Sequence, residues 1–315
     1  MKVFSESDVH NLLSYPACIS LMKKCFSQLD KNEIQQPVRS GMGVSGGGLA
    51  YMPCYLAAEN SFGAKIISVY PGNAAQGFPS HQGVVLLFEG KNGVPSAMAD
   101  ACAITEIRTA AASAAATDLL ARKDSHKLAI IGSGAQARTH LAAMRTVREI
   151  DEVTVWSYHK ENAVKYAEEM SAKHPVPITV CDTVQEAVQD ADIICTLCRT
   201  REPLLELSQV KPGAHINAAG TCSSVSRDLS SDLVAASRFY IDQMEACLAE
   251  SGNYLIPLAE GSIHEGHIAG SIGEVINGKV PARRTEEEIT VFESLGLAAE
   301  DVICADYLYK CSVQG

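Results

Sequence analysis

The segment Lys127-Leu-Ala-Ile-Ile-Gly-Ser-Gly-Ala-Gln-Ala137 limits most what this chain can fold into. An apolar run, Leu128 to Ile131, ends in Gly132-x-Gly134-x-x-Ala137, and a helical pattern follows from Gln136 to about Val147. A buried strand that turns sharply into a helix has this signature. Gly132 permits the tight turn, Gly134 leaves the backbone open to a ligand, and Ala137 lets the helix lie close to the strand. The first N–H groups of such a helix lack partners and carry partial positive charge, so they attract phosphate oxygens. Glycines alone would describe only a tight turn; strand, turn and helix together point to a dinucleotide held by Gly132, Gly134, Ala135 and Gln136.

Beyond residue 127 strands and helices alternate. Strands are expected at Val153–Trp156, Ile178–Cys181, Ile193–Thr196, His215–Ala219 and Phe239–Asp242, with helices at Glu161–Met170 and Val184–Val188. Strands separated by helices imply a parallel sheet covered on both faces, the doubly wound Rossmann type of α/β fold. The earlier half reads differently. Leu12, Leu13, Ile19, Met22 and Phe26 follow the polar Ser5-Glu-Ser-Asp8 at helical spacing. Residues 35–100 read as strands, among them Ala64–Tyr70 and Gly83–Phe88, with turns at Gly46-Gly-Gly48, Pro71-Gly72 and Lys91-Asn-Gly93. An alanine-rich helix is expected over 104–122. The polar linker Arg122-Lys-Asp-Ser-His126 marks a boundary near residue 125, and the final helix, Ala298 to Lys310, can return to the first part.

The chain has 315 residues, 47% of them hydrophobic and 20% charged, with a net charge of −11. This leaves no basic footprint for nucleic acid. The N-terminus shows no apolar secretory region and no stretch approaches the length of a membrane span, so a cytoplasmic protein with reduced thiols is expected. The count of 11 cysteines is odd and their spacing irregular. Cys195-Thr-Leu-Cys198 has CxxC spacing but lies in a strand-like run without a second pair, and His264-Glu-Gly-His267 is not HExxH. Neither reads as a metal site.

A dinucleotide site reads the ribose at the end of its second strand, about 20 residues beyond the glycines. Here that position is Trp156-Ser-Tyr-His-Lys160, with no Asp or Glu to grip a 2′-hydroxyl. Ser157 can hydrogen-bond, and His159 and Lys160 could face a 2′-phosphate. NADP(H) is therefore favoured, with NAD(H) as the alternative.

Several segments together resemble one family. Gln36-Pro-Val-Arg39, Ala64-Lys65, Pro79-Ser-His-Gln82, Ile104-Thr-x-x-Arg-Thr-Ala-Ala111, the glycine turn, Val210–Asn217, Gly273-Glu-Val-Ile276 and Phe292-x-Ser-Leu-Gly296 stand in the order found in the ornithine cyclodeaminase/mu-crystallin family. The chain is most similar to the mu-crystallin branch of ketimine reductases. The resemblance implies a Rossmann domain, 125–296, inserted into an α+β substrate-binding and dimerisation domain, 1–124 with 297–315, and hence a homodimer. It implies that Arg39, Lys65 and Arg108 face a small imino or amino acid. A guanidinium fork suits its carboxylate, and a lysine buried beside other cations has a lowered pKa that suits proton delivery. His81 is the second candidate donor. Ser80, His81, Gln82, Thr109, Ser157, Tyr158, His159, Asn162, Cys198, Ala219, Ser294, Leu295 and Gly296 are implied cofactor contacts, and Cys222 and Glu250 implied pocket residues.

One departure from the family bears on the reaction. Cyclodeaminases and the alanine dehydrogenase type carry a catalytic aspartate where this chain has Cys222. Without that carboxylate cyclodeamination lacks its base. The expected activity is thus NAD(P)H-dependent reduction of cyclic ketimine carboxylates to cyclic L-amino acids. The alternatives are opine- or alanine-dehydrogenase chemistry, ornithine cyclodeamination, or non-enzymatic binding of a thyroid-hormone-like ligand.

Overall fold

The computed structural model describes residues 1–314, with side chains throughout except at 74–76 and 314. It divides into two compact units, Met1–Arg108 with Leu297–Gly315, and Thr109–Gly296. Along the chain the first unit supplies β1 (Lys2–Phe4), α1 (Glu6–Leu12), α2 (Tyr15–Asp30), β2 (Ile34–Gln35), β3 (Ser40–Val44), β4 (Gly47–Leu56), β5 (Ser61–Val69), β6 (His81–Glu89), β7 (Pro95–Asp100) and the first residues of α3 (Ala101–Leu120). The hydrophobic pattern over residues 12–26 belongs to two helices rather than one. Ser5 and Asp8 form a capping box that starts α1, and Ser14 with Pro16 in the first turn starts α2. Proline suits a first turn because its missing N–H would have no helical partner there.

The strands of this unit form one seven-stranded sheet in the order β1-β7-β6-β5-β4-β2, with β3 also paired to β4. Only the β1–β7 pair is parallel; the others are antiparallel, as short hairpin connections require. Along β5, Gly63, Lys65 and Ile67 are buried together. The period of two places them on one face of the sheet.

The second unit contains β8 (Lys127–Ile131), α4 (Ala135–Val147), β9 (Glu152–Trp156), α5 (Lys160–Lys173), β10 (Ile178–Val180), α6 (Val184–Val188), β11 (Ile193–Thr196), β12 (His215–Ala218), α7 (Ser231–Ala236), β13 (Arg238–Ile241), α8 (Met244–Glu250), α9 (Gly252–Ala259), β14 (Ile268–Ser271), α10 (Ile272–Ile276) and β15 (Thr290–Glu293). The eight strands form a wholly parallel sheet, ordered β10-β9-β8-β11-β12-β15-β13-β14. This is the doubly wound Rossmann arrangement, and its order reverses between β8 and β11, where such sheets bind ligands. The last helix, α11 (Ala298–Gln314), belongs to the first unit and packs on β4, β5, β6 and α2. No helix among the described residues is long and apolar enough to cross a membrane.

The division of units falls within α3, upstream of the linker at 122–126, because the second half of that helix is bonded into the second unit. Ser113 Oγ meets His140 Nε2 at 2.9 Å, and Thr117 Oγ1 accepts from Asn217 Nδ2 at 2.9 Å. The end of α3 is held by Arg148, which donates to the carbonyls of Thr117, Asp118, Ala121 and Arg122 and to the Asp118 carboxylate. These are carbonyls a helix end leaves unpaired. Arg148 is buried, so Arg148→Met is expected to cost about 3 kcal/mol of stability. Urea denaturation checks this; a loss below about 0.5 kcal/mol, the range of ordinary surface changes, would contradict it.

Candidate functional site

In the first unit, β5, α3 and α11 place four charged side chains together in the interior. Lys65, Arg108, Glu300 and Asp301 are each 4% exposed or less. Lys65 Nζ lies 2.7 Å from Asp301 Oδ2, Arg108 Nε lies 3.0 Å from Asp301 Oδ1, and Arg108 Nη1 lies 2.6 Å from Glu300 Oε2. Thr105 Oγ1 adds a longer bond to Asp301 and accepts one from Lys65. Two cations and two anions leave no net charge, which is what allows ionised groups to persist away from water.

The sequence explains the convergence. Lys65 points to the covered face of β5. Arg108 stands just before the alanine-rich stretch Ala110–Ala116 of its helix, whose small side chains let neighbouring elements approach. Glu300 and Asp301 occupy the first turn of α11, where the helix dipole favours carboxylates. Burial pushes the Lys65 ammonium down to about 8 against the opposing pull of Asp301, and the charges of Arg108 and Arg39 add to the lowering. For Arg108 burial also disfavours charge, but Asp301 and Glu300 outweigh it and keep the guanidinium charged. Burial alone would raise the Asp301 carboxyl; Arg108 and Lys65 hold it below the usual carboxylate range.

Arg39 is half-buried, immediately before β3. The ladder places Ser40 opposite Tyr51, and Lys65 opposite Met52, on β4. His81 stands apart from this group. Lys65 faces Val85 on β6, four residues from His81, which is about 13 Å at 3.3 Å per residue. His81 Nδ1 is engaged by Ser80 Oγ at 2.9 Å, and the His81 carbonyl accepts from the Cys102 thiol. Ser80 is half-buried and Gln82 exposed.

The second unit presents the turn that the sequence led us to expect. Gly134 is the N-cap of α4 and makes no side-chain cap, so the first N–H groups of this 13-residue helix remain available. A Cβ added at Gly134 would meet open space. Gly132 adopts φ +131, and a Cβ there would press on the Leu197 carbonyl at 3.2 Å and on Cys198 Sγ at 3.3 Å. Ala135 is exposed and Gln136 half-buried. At the end of β9, Ser157 Oγ accepts from Ser133 Oγ at 2.9 Å. Tyr158, His159 and Asn162 are exposed, and Tyr158 stacks edge-on against Trp156. Lys160 is engaged by Asp182 at the surface. Cys198 follows β11, Ala219 follows β12, and Ser294, Leu295 and Gly296 follow β15, so all of them lie at carboxyl ends of the parallel strands. The Ser294 hydroxyl is buried without a hydrogen-bond partner among the described residues. An open phosphate cradle and a buried hydroxyl lacking a partner both fit a bound dinucleotide. Thr109 is half-buried in α3; Cys222 is exposed and Glu250 half-buried, both in the second unit. Burial pushes the Cys195 and Cys198 thiols up to about 12 and about 11, so neither ionises at neutral pH.

The sequence reading missed Glu300 and Asp301. Its one available signal was two adjacent carboxylates at the head of an apolar helix, matching the lone arginine within an alanine helix. It set Asp228 aside as too far along its segment to replace the aspartate missing at Cys222, and gave no role to Asp242 or Glu293; all three carboxyls are buried. Asp242 Oδ2 accepts from the N–H groups of Leu295 and Gly296 at 2.7 and 3.1 Å and so fixes the segment after β15.

A parallel Rossmann sheet with a free phosphate cradle, in one chain with a second sheet that carries a buried cation–carboxylate cluster, defines a two-unit dinucleotide-binding protein. The chain belongs to the ornithine cyclodeaminase/mu-crystallin family, whose sequence model matches residues 1–315. The ketimine reductase mu-crystallin of Mus musculus is 40% identical over 286 residues, which cover 90% of this chain and 87% of the mouse protein. The structure of Thermococcus litoralis Delta(1)-pyrroline-2-carboxylate reductase in complex with NADH and L-proline superposes with a TM-score of 0.96 at 38% identity, covering 100% of this chain and 98% of that one. An archaeal alanine dehydrogenase dimer with bound NAD superposes with a TM-score of 0.94 at 28% identity, covering 100% of this chain and 96% of that one.

Proposed function

We propose that the protein is an NAD(P)H-dependent reductase of cyclic ketimine carboxylates, of the pyrroline-2-carboxylate and piperideine-2-carboxylate kind, which it converts to cyclic L-amino acids. The observation that carries this reading is the buried Lys65–Arg108–Glu300–Asp301 cluster. It holds a guanidinium in a fixed orientation beside a lysine whose pKa is pushed to about 8, close to working pH. A substrate with a carboxylate and a C=N nitrogen needs both groups. Arg108, engaged by Glu300 and Asp301 through Nη1 and Nε, offers Nη2 to the carboxylate, and Arg39 supplies a second cation. Lys65 keeps a proton at the imine nitrogen or on a water beside it. When bound, the reduced nicotinamide supplies the hydride. The chain's own contribution is then orientation and preorganised charge. Cys222, in place of a catalytic aspartate, weighs against cyclodeamination.

The absence of Asp or Glu across Ser157–Lys160 supports a preference for NADPH over NADH. Lys160 can still turn from Asp182 to a 2′-phosphate, because an exposed ion pair of this kind is worth little. Apolar Met42, Val44, Leu49 and Tyr51, exposed on the β3–β4 hairpin, support a homodimer; light scattering checks it. The reaction is tested by product analysis. With pyrroline-2-carboxylate and NADPH, chiral chromatography is expected to show L-proline, formed faster than with NADH. Racemic product or none would overturn the reading.

Gly132→Ala is expected to weaken reduced-cofactor binding at least about tenfold, since backbone strain of about 1–3 kcal/mol falls on the turn itself. Fluorescence titration checks this, with circular dichroism to confirm the fold. Unchanged affinity would contradict the placement of the phosphates at this turn.

A further inference from the structure

Away from the Lys65 cluster, the second unit buries the carboxyl groups of Asp228 and Glu293 with no cation beside them among the described residues. Asp228 and Glu293 are 0% and 1% exposed. Both bond to one amide group: Asn253 Nδ2 donates to Asp228 Oδ1 at 2.6 Å and to Glu293 Oε2 at 2.9 Å. Their remaining oxygens meet hydroxyls, Thr196 at Asp228 and Ser251 at Glu293. The titratable groups facing them from neighbouring elements are Asp242, Cys198 and Cys247, none of which is a cation. Two ionised carboxylates sharing one amide in a dry interior repel each other and lack hydration, and the cheaper state keeps a proton on one of them. Burial pushes Glu293 up to about 8, with Asp228 adding to the rise, and burial likewise raises Asp228.

This network ties together the strand ends from which the proposed cofactor contacts emerge. Thr196 ends β11 just before Cys198, and Glu293 ends β15 just before Ser294. A Cβ at Gly220, next to Ala219, would lie 3.2 Å from Asp228 Oδ2 and 2.4 Å from the Cys198 carbonyl. Asn253 Oδ1 accepts from the N–H groups of Asp228 and Leu229, both at 3.1 Å. Gly252 packs so closely on the carbonyls of Ser223 and Ser226 that no side chain fits there. The segment carrying Cys222 is thus clamped to the start of α9.

We infer that Asp228 and Glu293 hold one proton between them across Asn253, and that this protonated pair is the positioning device for the Cys222 segment and for the nicotinamide half of the cofactor site. The residues act through the strand ends and do not touch the ligand. The inference rests on the cofactor reading given above. Loss of the shared proton sets two like charges against each other beside the carboxyl ends of β11 and β15, and the site loosens.

NADH fluorescence titrations of the full chain across pH test this. Wild-type affinity is expected to fall about tenfold from about pH 7 to about pH 9.5, as the raised carboxyl ionises. Glu293→Gln is neutral at every pH and keeps a carbonyl acceptor and an N–H donor group near the positions of a protonated glutamate's oxygens. Its ratio of affinities across the same range is expected to stay within about twofold. A wild-type affinity that does not change, or a variant that falls as the wild type does, overturns the inference. Infrared spectroscopy of the wild-type chain decides the proton directly, whether or not the variant folds. A buried protonated carboxyl band present at neutral pH and lost on the alkaline side supports the pair; its absence at neutral pH overturns it. A wild-type chain that binds neither NADPH nor NADH at any pH overturns the cofactor reading instead, and the infrared band then settles the shared proton alone.

Discussion

Arg108→Ala is expected to lower kcat/KM for a cyclic ketimine carboxylate by about 30-fold to about 5,000-fold, while reduced-cofactor binding stays measurable. A bidentate or charge-assisted contact to a substrate carboxylate, made where water is scarce, is worth about 2–5 kcal/mol. Arg108 is buried and oriented by two carboxylates, so a water or a neighbouring lysine cannot take its place. The same substitution strands Glu300 and Asp301 without their guanidinium and is expected to cost about 3–5 kcal/mol of stability. Arg108→Lys separates the two effects. It restores part of the charge balance but not the planar fork, so stability should recover further than turnover. Normal turnover by the alanine variant, measured at saturating cofactor, would remove Arg108 from the substrate site.

Asp301→Asn is expected to move the alkaline limb of kcat by at least about one pH unit toward acid. In the wild-type chain Lys65 is protonated below about 8 and loses its proton above it, so turnover that uses this proton declines as pH rises past that value. Burial lowers the lysine and Asp301 is the anion that opposes it. With asparagine the opposition disappears, the neutral amine is favoured further, and the decline begins at lower pH. At about pH 8 the variant should then be slower by at least about fivefold beyond any loss at acid pH. Measuring kcat at saturating cofactor keeps this limb separate from any pH dependence of NADH affinity. An unshifted limb would show that Lys65 does not carry the titrating proton.

What could be read from the sequence was local. The strand Ile193–Thr196 and the helix Val184–Val188 were placed residue for residue, since each has its own signal: a short apolar run in the first, a Thr183–Glu186 capping box in the second. The glycine turn was legible for the same reason. Strand β15 was not, because Thr290-Val-Phe-Glu is four residues long and follows a run of acidic residues. The apolar spacing of residues 12–26 is split between two helices because extended backbone at Ser14 and a proline in the next first turn, Pro16, outweigh periodicity. The cation half of the site could be named from the chain, and its anion half could not. Arg108 and Asp301 are 193 residues apart, and Asp301 alone reads as an ordinary surface charge. Asp228, Asn253 and Glu293 pose the same problem. Their meaning lies in one shared amide group, which only the folded sheet brings into being.

The measurement that bears most directly on the central claim is the loss of reduced-nicotinamide absorbance with defined substrates. Piperideine-2-carboxylate and pyrroline-2-carboxylate are each supplied with NADPH and with NADH, beside pyruvate with ammonia or an amino acid. Rapid oxidation with a cyclic ketimine, and little with the keto acid mixtures, is the predicted result. Oxidation only with a keto acid plus an amine would assign dehydrogenase chemistry instead. No oxidation with any substrate, by a chain that binds the cofactor tightly, would contradict a reductase altogether.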